Sequence, residues 1–243
     1  MSPTASLPTH AQLMDEVYRH QRYFYDFTRK YYLFGRDRLI RSLSLTAEER
    51  VVEIGCGTAR NLICMARRYP EAHFYGLDAS EQMLDTAHRQ IAAAGLSTRI
   101  KLVQGYGESL DPAQFDVPWF ERTVFSYSLS MIPDWRGALA AALGSLAPQG
   151  RVHVVDFGDF KGLGSLGEAL MGTWLRHFHV EPRKAILSHL DMAFNSKEAA
   201  LHGGLEILRG RYAFIFEGST ALLSQILSDV ADVTQPLEFP TVR

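Results

Sequence analysis

The sequence predicts a doubly wound α/β fold: a mostly parallel, seven-stranded sheet with helices on both faces and a helical lid at its N-terminus. Three observations carry this reading. Short apolar runs alternate with helix-length segments from Arg50 to Phe157, the pattern of βαβ units and a parallel sheet. A Gly-x-Gly turn, Gly55-Cys56-Gly57, closes the first apolar run. An acidic residue, Asp78, closes the second run 21 positions after Gly57.

The elements follow in order. Asp15 to Leu43 is helical in pattern, rich in Tyr, Phe and Arg, and interrupted by Gly35. Arg50–Ile54 is the first strand, and Asn61–Tyr69 a helix stopped by Pro70. Ala72–Leu77 is the second strand, followed by a helix from Glu81 to Ala94 that ends at Gly95, the residue type that tolerates a left-handed helix end. Ile100–Gln104 and Glu121–Tyr127 are the third and fourth strands, and Trp135–Leu146 a helix. Pro148-Gln149-Gly150 reads as a turn into a fifth strand, Arg151–Phe157. Crossovers between parallel strands are right-handed, which places the helices on both faces. Beyond Gly158 come a helical stretch at Leu166–His177, another at Asn195–His202, a closing hairpin of Leu205–Leu208 with Tyr212–Phe216, and a last helix. The chain thus divides into a lid and substrate-binding extension over 1–44 and a ligand-binding domain over 45–243, with a substrate-side insertion around 160–203.

Composition bounds the function. The 243 residues are 47% hydrophobic and 21% charged, with a formal net charge of -2. That is a globular balance, without the basic field of a nucleic-acid binder. The two cysteines, Cys56 and Cys64, fall in one strand–loop–helix unit and form no disulfide framework; a reducing cytoplasm is expected. The opening MSPTASLPTHAQ lacks the apolar core of a signal peptide, and no apolar run is long enough to span a bilayer.

The turn after the first strand carries the chemistry. Open α/β sheets bind ligands outside the carboxyl ends of their strands, where a Gly-x-Gly turn lets a ligand approach the backbone. Dinucleotide binders share that turn, but here Arg60 stands where their third glycine would be. Glu53 lies two residues before Gly55, and a carboxylate at the end of a buried strand is costly without a cation or strong donors. A ligand with an amino group and a sulfonium would supply that partner, whereas a pyrophosphate would be repelled. Asp78 has the spacing of a ribose-binding acid; its bland alternative is a helix N-terminal acid beside the N-cap Ser80.

Together Glu53-x-Gly55-x-Gly57, Asp78 and the segment Ser128-Leu129-Ser130-Met131-Ile132-Pro133 resemble the class I S-adenosylmethionine methyltransferases, Rossmann-like enzymes, over about Arg50 to Asp159. The resemblance implies S-adenosyl-L-methionine as cofactor and S-adenosyl-L-homocysteine as product. It implies that Gly55, Cys56 and Gly57 pack on the methionine portion, Asp78 binds ribose, and Ala79 and Met83 flank adenine. Ser80, Gly105, Tyr106 and Gly107 complete that side, and Ser128 lies beside the cofactor. Tyr106 stands where the family often has an acid for the adenine amino group, so only the Tyr106 or Gly107 backbone, or Glu108, is left for that contact.

At the N-terminus Tyr18, Arg22, Tyr25, Arg29, Tyr32 and Arg36 recur at four- and three-residue steps, one stripe of a helix. Such a stripe is either the rim of a docking helix or a site holding an anion beside an aromatic box for an ammonium. The segment Tyr18–Arg38, with Gly57-Thr58-Ala59-Arg60-Asn61 and Ser128–Trp135, is similar to the betaine-lipid N-methyltransferases. That likeness implies three methylations of the homoserine amine of diacylglyceryl-homoserine, with Tyr18, Arg22, Arg29 and Lys30 on the substrate. A weaker likeness, through Tyr25-Asp26, Phe34-Gly35 and Arg38, points to the ubiquinone and menaquinone C-methyltransferases and implies Tyr25 and Arg36 on the cofactor's carboxylate. A non-catalytic cofactor-binding module is the remaining alternative. Methyl transfer to an amine is an in-line displacement that needs mostly positioning and a modest proton acceptor. Tyr25, Tyr32, Tyr127 and Asp156 are the candidates, Asp156 equally a structural acid. His177 and His179 lack companion ligands, so no metal is expected. A lipid-linked acceptor, a peripheral contact at the inner membrane surface, and no nucleic-acid partner complete the expectation.

Overall fold

A computed structural model describes residues 33–177, 180–195 and 202–231. The element order is α1 (Arg36–Ser42), β1 (Arg50–Ile54), α2 (Arg60–Arg68), β2 (His73–Asp78), α3 (Glu81–Ala93), β3 (Ile100–Gln104), β4 (Phe120–Ser126), α4 (Trp135–Gly144), β5 (Leu146–Phe157), α5 (Gly164–His177), α6 (Lys184–Asn195), β6 (Gly203–Leu208), β7 (Ala213–Ser219) and α7 (Thr220–Ala231). The strands form one seven-stranded sheet in the order β3-β2-β1-β4-β5-β7-β6. β1 to β5 are parallel; β7 runs antiparallel to β5, and β6 antiparallel to β7. This is the doubly wound sheet the alternation predicts.

The strand period of two divides the core. Val51 and Val124 join the cluster on one face with Met65, Phe74 and Leu39. Their neighbours Val52 and Phe125 join the other, with Phe115, Phe120 and Leu139. Both faces of the central strands are therefore dry, as parallel sheets require. β1 and β4 are tied at their starts by Arg50, whose Nη2 and Nε meet Glu121 at 2.7 and 3.1 Å, and Glu121 is held below the usual carboxylate range by those bonds against its own burial. The end of α2 is held from outside the helix: Arg99 donates to the carbonyls of Ala66, Tyr69 and Ala72 at 2.8, 2.7 and 2.6 Å.

Three boundaries depart from expectation. Pro148-Gln149-Gly150 does not break the chain into helix and strand. Phe120 pairs with Leu146 and Arg122 with Arg151, so the intervening residues form an irregularity inside a longer β5. A helix at Lys184–Asn195 was not foreseen, although Ile186, Leu187 and Leu190, all buried, have helical spacing. The helix expected at Asn195–His202 falls mostly on residues outside the described ones, with Asn195 closing α6 instead. Gly35 does interrupt the N-terminal pattern: its φ is 88° and α1 starts directly after it. The lid expected before Leu33, including Tyr18, Arg22, Tyr25, Arg29, Lys30 and Tyr32, lies outside the described residues, as does His179.

Arg99 supplies charged donors to three carbonyls at the end of α2 and in the turn after it. Arg99→Ala is expected to lower unfolding free energy by about 2 kcal/mol through loss of charge-assisted bonds, read as a lower urea midpoint at unchanged m-value.

Candidate active site

The described residues enclose a cleft of about 380 Å³ where β1, β2, β3 and β4 end. Each wall is a loop that follows a strand. The turn after β1 gives Gly55 and Gly57; the end of β2 gives Asp78, Ala79 and Ser80, with Met83 from α3. The loop after β3 gives Gly105, Tyr106, Gly107 and Glu108. The loop after β4 gives Tyr127, Ser128, Met131, Ile132, Pro133 and Asp134. Ile54 and Leu77, two strand residues that the motif reading missed, form its apolar floor. Nothing in their sequence positions separates them from ordinary core residues.

Asp78 organises the first two walls. Its Oδ2 accepts the Gly57 amide at 2.7 Å and its Oδ1 the Ser80 amide at 2.9 Å. The Ser80 side chain in turn accepts from the Met83 amide, capping α3. Asp78 therefore lines the cleft and also orders the start of a helix. Gly55 has φ 72°, and a Cβ there would sit 2.6 Å from Ser128 Cβ. Only glycine lets the first and fourth loops meet so closely.

The fourth loop is held from behind. Asp156 accepts the Ser130 amide at 3.1 Å and the Phe157 amide at 2.7 Å. The Glu181 amide donates to Ser130 O at 2.9 Å. Arg183 donates from Nε to Leu129 O at 3.0 Å and from Nη2 to Ile132 O at 2.7 Å, and pairs with Glu181 at 2.9 Å. The segment before α6 thus fixes the backbone of the cleft wall, a role for Arg183 that no local motif announces.

Several expected site residues lie elsewhere. Asp156 does not line the cleft: it is 3% exposed, behind the loop. Burial pushes its carboxyl up to about 6, while bonds from Ser130 and Phe157 hold it down. Its structural alternative is the one the geometry supports. Glu53 is 1% exposed and accepts from Asn61 Nδ2 at 2.7 Å, so its donor comes from α2 rather than from the cleft. Cys56 turns its Sγ toward Gly76 under the sheet, and burial together with Asp78 and Glu53 raises its thiol well above the usual value. Arg36 lines a different cavity. Tyr127 reaches the cleft, but its hydroxyl donates to Phe34 O at 2.6 Å. Burial and Asp156 raise that phenol well above its ordinary value, which disfavours the phenolate a base would need. Arg60, at the missing glycine's place, pairs with Asp37 at 2.7 Å.

Comparison with known proteins now bears on this cleft. Residues 51–150 match the family described as "Methyltransferase domain". A demethylmenaquinone methyltransferase of Geobacillus kaustophilus is 30% identical over 109 residues, 44% of this chain and 45% of that one. Another, from Listeria monocytogenes, is 27% identical over 128 residues, 52% of each. The chain spans about half the length of these curated relatives. An O-methyltransferase family protein from Burkholderia thailandensis superimposes with a TM-score of 0.65 at 18% identity, over 88% of this chain and 64% of that one. The apo form of the S-adenosylmethionine-dependent methyltransferase SibL gives 0.61 at 21%, over 89% and 63%. The described residues share the fold of these solved proteins, and S-adenosylmethionine is the cofactor named for SibL.

The residues present fit that cofactor. The cleft volume suits a ligand of its size. The Ser128 hydroxyl is buried, lines the cleft, and has no hydrogen-bond partner among the described residues, the state expected of a group awaiting a ligand. No trio of His, Cys, Asp and Glu among the described residues is grouped to hold a metal ion.

The raised Asp156 carboxyl has a stability signature. Its folded value lies above the unfolded one, so the native state takes up a proton first as pH falls through about 6. The penalty of a buried charge is present above that pH and is relieved between about 6 and 4. Relative to Asp156→Asn, the wild type is expected to gain about 1 kcal/mol on going from pH 7 to pH 5, measured by urea unfolding at both values.

Proposed function

We propose that the protein transfers the methyl group of S-adenosylmethionine to a ring carbon of a prenylated quinol, the reaction class named for its demethylmenaquinone methyltransferase relatives. Those relatives' names carry the choice of acceptor; the cleft carries the choice of cofactor. Asp78 receives the ribose hydroxyls, its carboxylate plane set in advance by the Gly57 and Ser80 amides. Gly55 and Gly57 accommodate the methionine portion, Ala79 and Met83 flank the adenine, and the backbone of Tyr106 or Gly107, or Glu108, meets its amino group. The loop from Ser128 to Pro133 faces the transferred methyl.

The chemistry asks little covalent work of the protein. The sulfonium already activates the methyl carbon, so rate comes from holding the acceptor in line with it. Arg183 and Glu181 serve that end by fixing the carbonyls of Leu129, Ser130 and Ile132. A ring-carbon acceptor must also lose a proton after attack. Neither Asp156 nor the Tyr127 hydroxyl is placed to take it, which leaves that task to Glu108, Asp134 or the lid.

A second reading is N-methylation of the homoserine amine of diacylglyceryl-homoserine to the trimethylated betaine lipid. Two observations favour it. The segment carrying that resemblance, Ser128–Trp135, includes most of one cleft wall. An amine also needs no strong base, and none of the described acids stands out as one.

Two measurements test these readings. Incubation of the protein with methyl-labelled cofactor and either demethylated quinols or diacylglyceryl-homoserine is expected to label the quinol; label in the betaine lipid instead would reverse the order of the readings, and label in neither would refute both. Asp78→Ala is expected to weaken cofactor binding at least tenfold by calorimetry, the loss of about one charge-assisted hydrogen bond to the ligand. Wild-type affinity in that variant would refute the ribose assignment.

A further inference from the structure

Tyr127 stands where β4 ends and the cleft begins, and its backbone is strained there. Its φ is 57°, in the left-handed region that a tyrosine enters only at a cost and glycine enters freely. A strained residue persists where its surroundings over-determine it, and three contacts do so here. The Tyr127 amide donates to Val155 O at 2.7 Å. Its ring packs edge-on against Phe157, with centroids 4.7 Å apart. Its hydroxyl donates to Phe34 O at 2.6 Å.

The turn at Tyr127 joins two distant parts of the chain. Along the sequence it delivers Ser128 to the cleft, against Gly55, with a buried hydroxyl that has no hydrogen-bond partner among the described residues. Ser128 O then accepts the Met131 and Ile132 amides at 3.0 and 2.9 Å. Through the hydroxyl, Tyr127 reaches Phe34, and the next residue, Gly35, accepts the Leu39 amide at 2.8 Å and so starts α1. A second route links the same two residues. Phe157 meets Tyr212 at 5.9 Å and Tyr212 meets Phe34 at 5.4 Å, so a chain of rings closes a circuit with the hydroxyl bond.

We infer that Tyr127 is a positioning residue: its bond to Phe34 holds the strained turn that aims Ser128 into the cleft. The start of α1 and the fourth wall of the cleft are then coupled, and by linkage a ligand that orders one orders the other. The hydroxyl acts through the placement of Ser128, not as a base. Only the choice of ligand in the test rests on the reading of the cleft as the S-adenosylmethionine site; the coupling does not.

The test is amide hydrogen exchange on the full chain, in wild type and in Tyr127→Phe, which keeps the ring. Without ligand, the variant is expected to exchange about fivefold faster at Leu39, Met131 and Ile132, the loss of one net hydrogen bond. Exchange in α3 is expected to stay at the wild-type rate. Saturating S-adenosylhomocysteine is expected to slow exchange at Leu39 in wild type and to lose that effect in Tyr127→Phe. Unchanged exchange at Met131 and Ile132 in the ligand-free variant would overturn the inference, as would an equal acceleration in α3, the mark of general destabilisation. Binding of S-adenosylhomocysteine that leaves Leu39 untouched in wild type would overturn it too. If calorimetry shows no binding of that ligand to wild type, the cofactor reading falls instead, and the ligand-free comparison still decides the coupling.

Discussion

The site depends on one carboxylate. Asp78 ends β2, yet its two oxygens hold the amide of Gly57 after β1 and the amide of Ser80 before α3. Amides in such a turn have no ladder partner, and unpaired amides near a dry cleft are costly. By taking both, Asp78 fixes the angle at which the first turn leaves the sheet and the point at which α3 begins. Its backbone oxygen also accepts the Gly105 amide at 3.0 Å, drawing the third loop to the same rim. One residue therefore registers three of the four loops that make the cleft.

The fourth loop is registered differently. It reaches the others through the contact of Gly55 with Ser128, which leaves no room for a side chain at Gly55. Its outward face is fixed by Arg183, 11% exposed. Burial pulls Arg183 below its usual value, and Glu181 and Asp156 offset this. A mostly buried cation is tolerated when its donors are used, and here two of them satisfy carbonyls that would otherwise face the interior. Asp156 does the complementary work, accepting the Ser130 amide from the other side. A cation and an anion thus hold donors and acceptors of one short stretch of backbone.

Local pattern revealed the first loops of the cleft and little of the rest. The strand-to-turn transition at Ile54, the spacing to Asp78 and the cap at Ser80 are all encoded within neighbouring residues, so they could be read directly. Glu53 and Asp156 show where such reading stops. Both are acids at strand ends, and whether such a side chain faces a ligand or the interior depends on distant donors: Asn61 for one, Ser130 for the other. Tyr127 is misleading for the same reason, since its hydroxyl is committed to Phe34, 93 positions away. The helix at Lys184–Asn195 had a legible apolar period, but Pro182 and the polar run before it obscured where it began. Arg183 carries no motif at all; its importance exists only once Leu129 and Ile132 stand opposite it.

Arg183 also says something about how such a protein can diversify. The fourth wall of the cleft belongs to the loop after β4, but its shape is imposed by chain that follows β5. Exchange of the stretch from Asp159 to Asn195 would remodel that wall while leaving Asp78, Gly57 and Ser80 untouched. Selection could then reshape one wall of the cleft by altering a region remote in sequence from the residues that build the other three, and the two halves could drift at different rates.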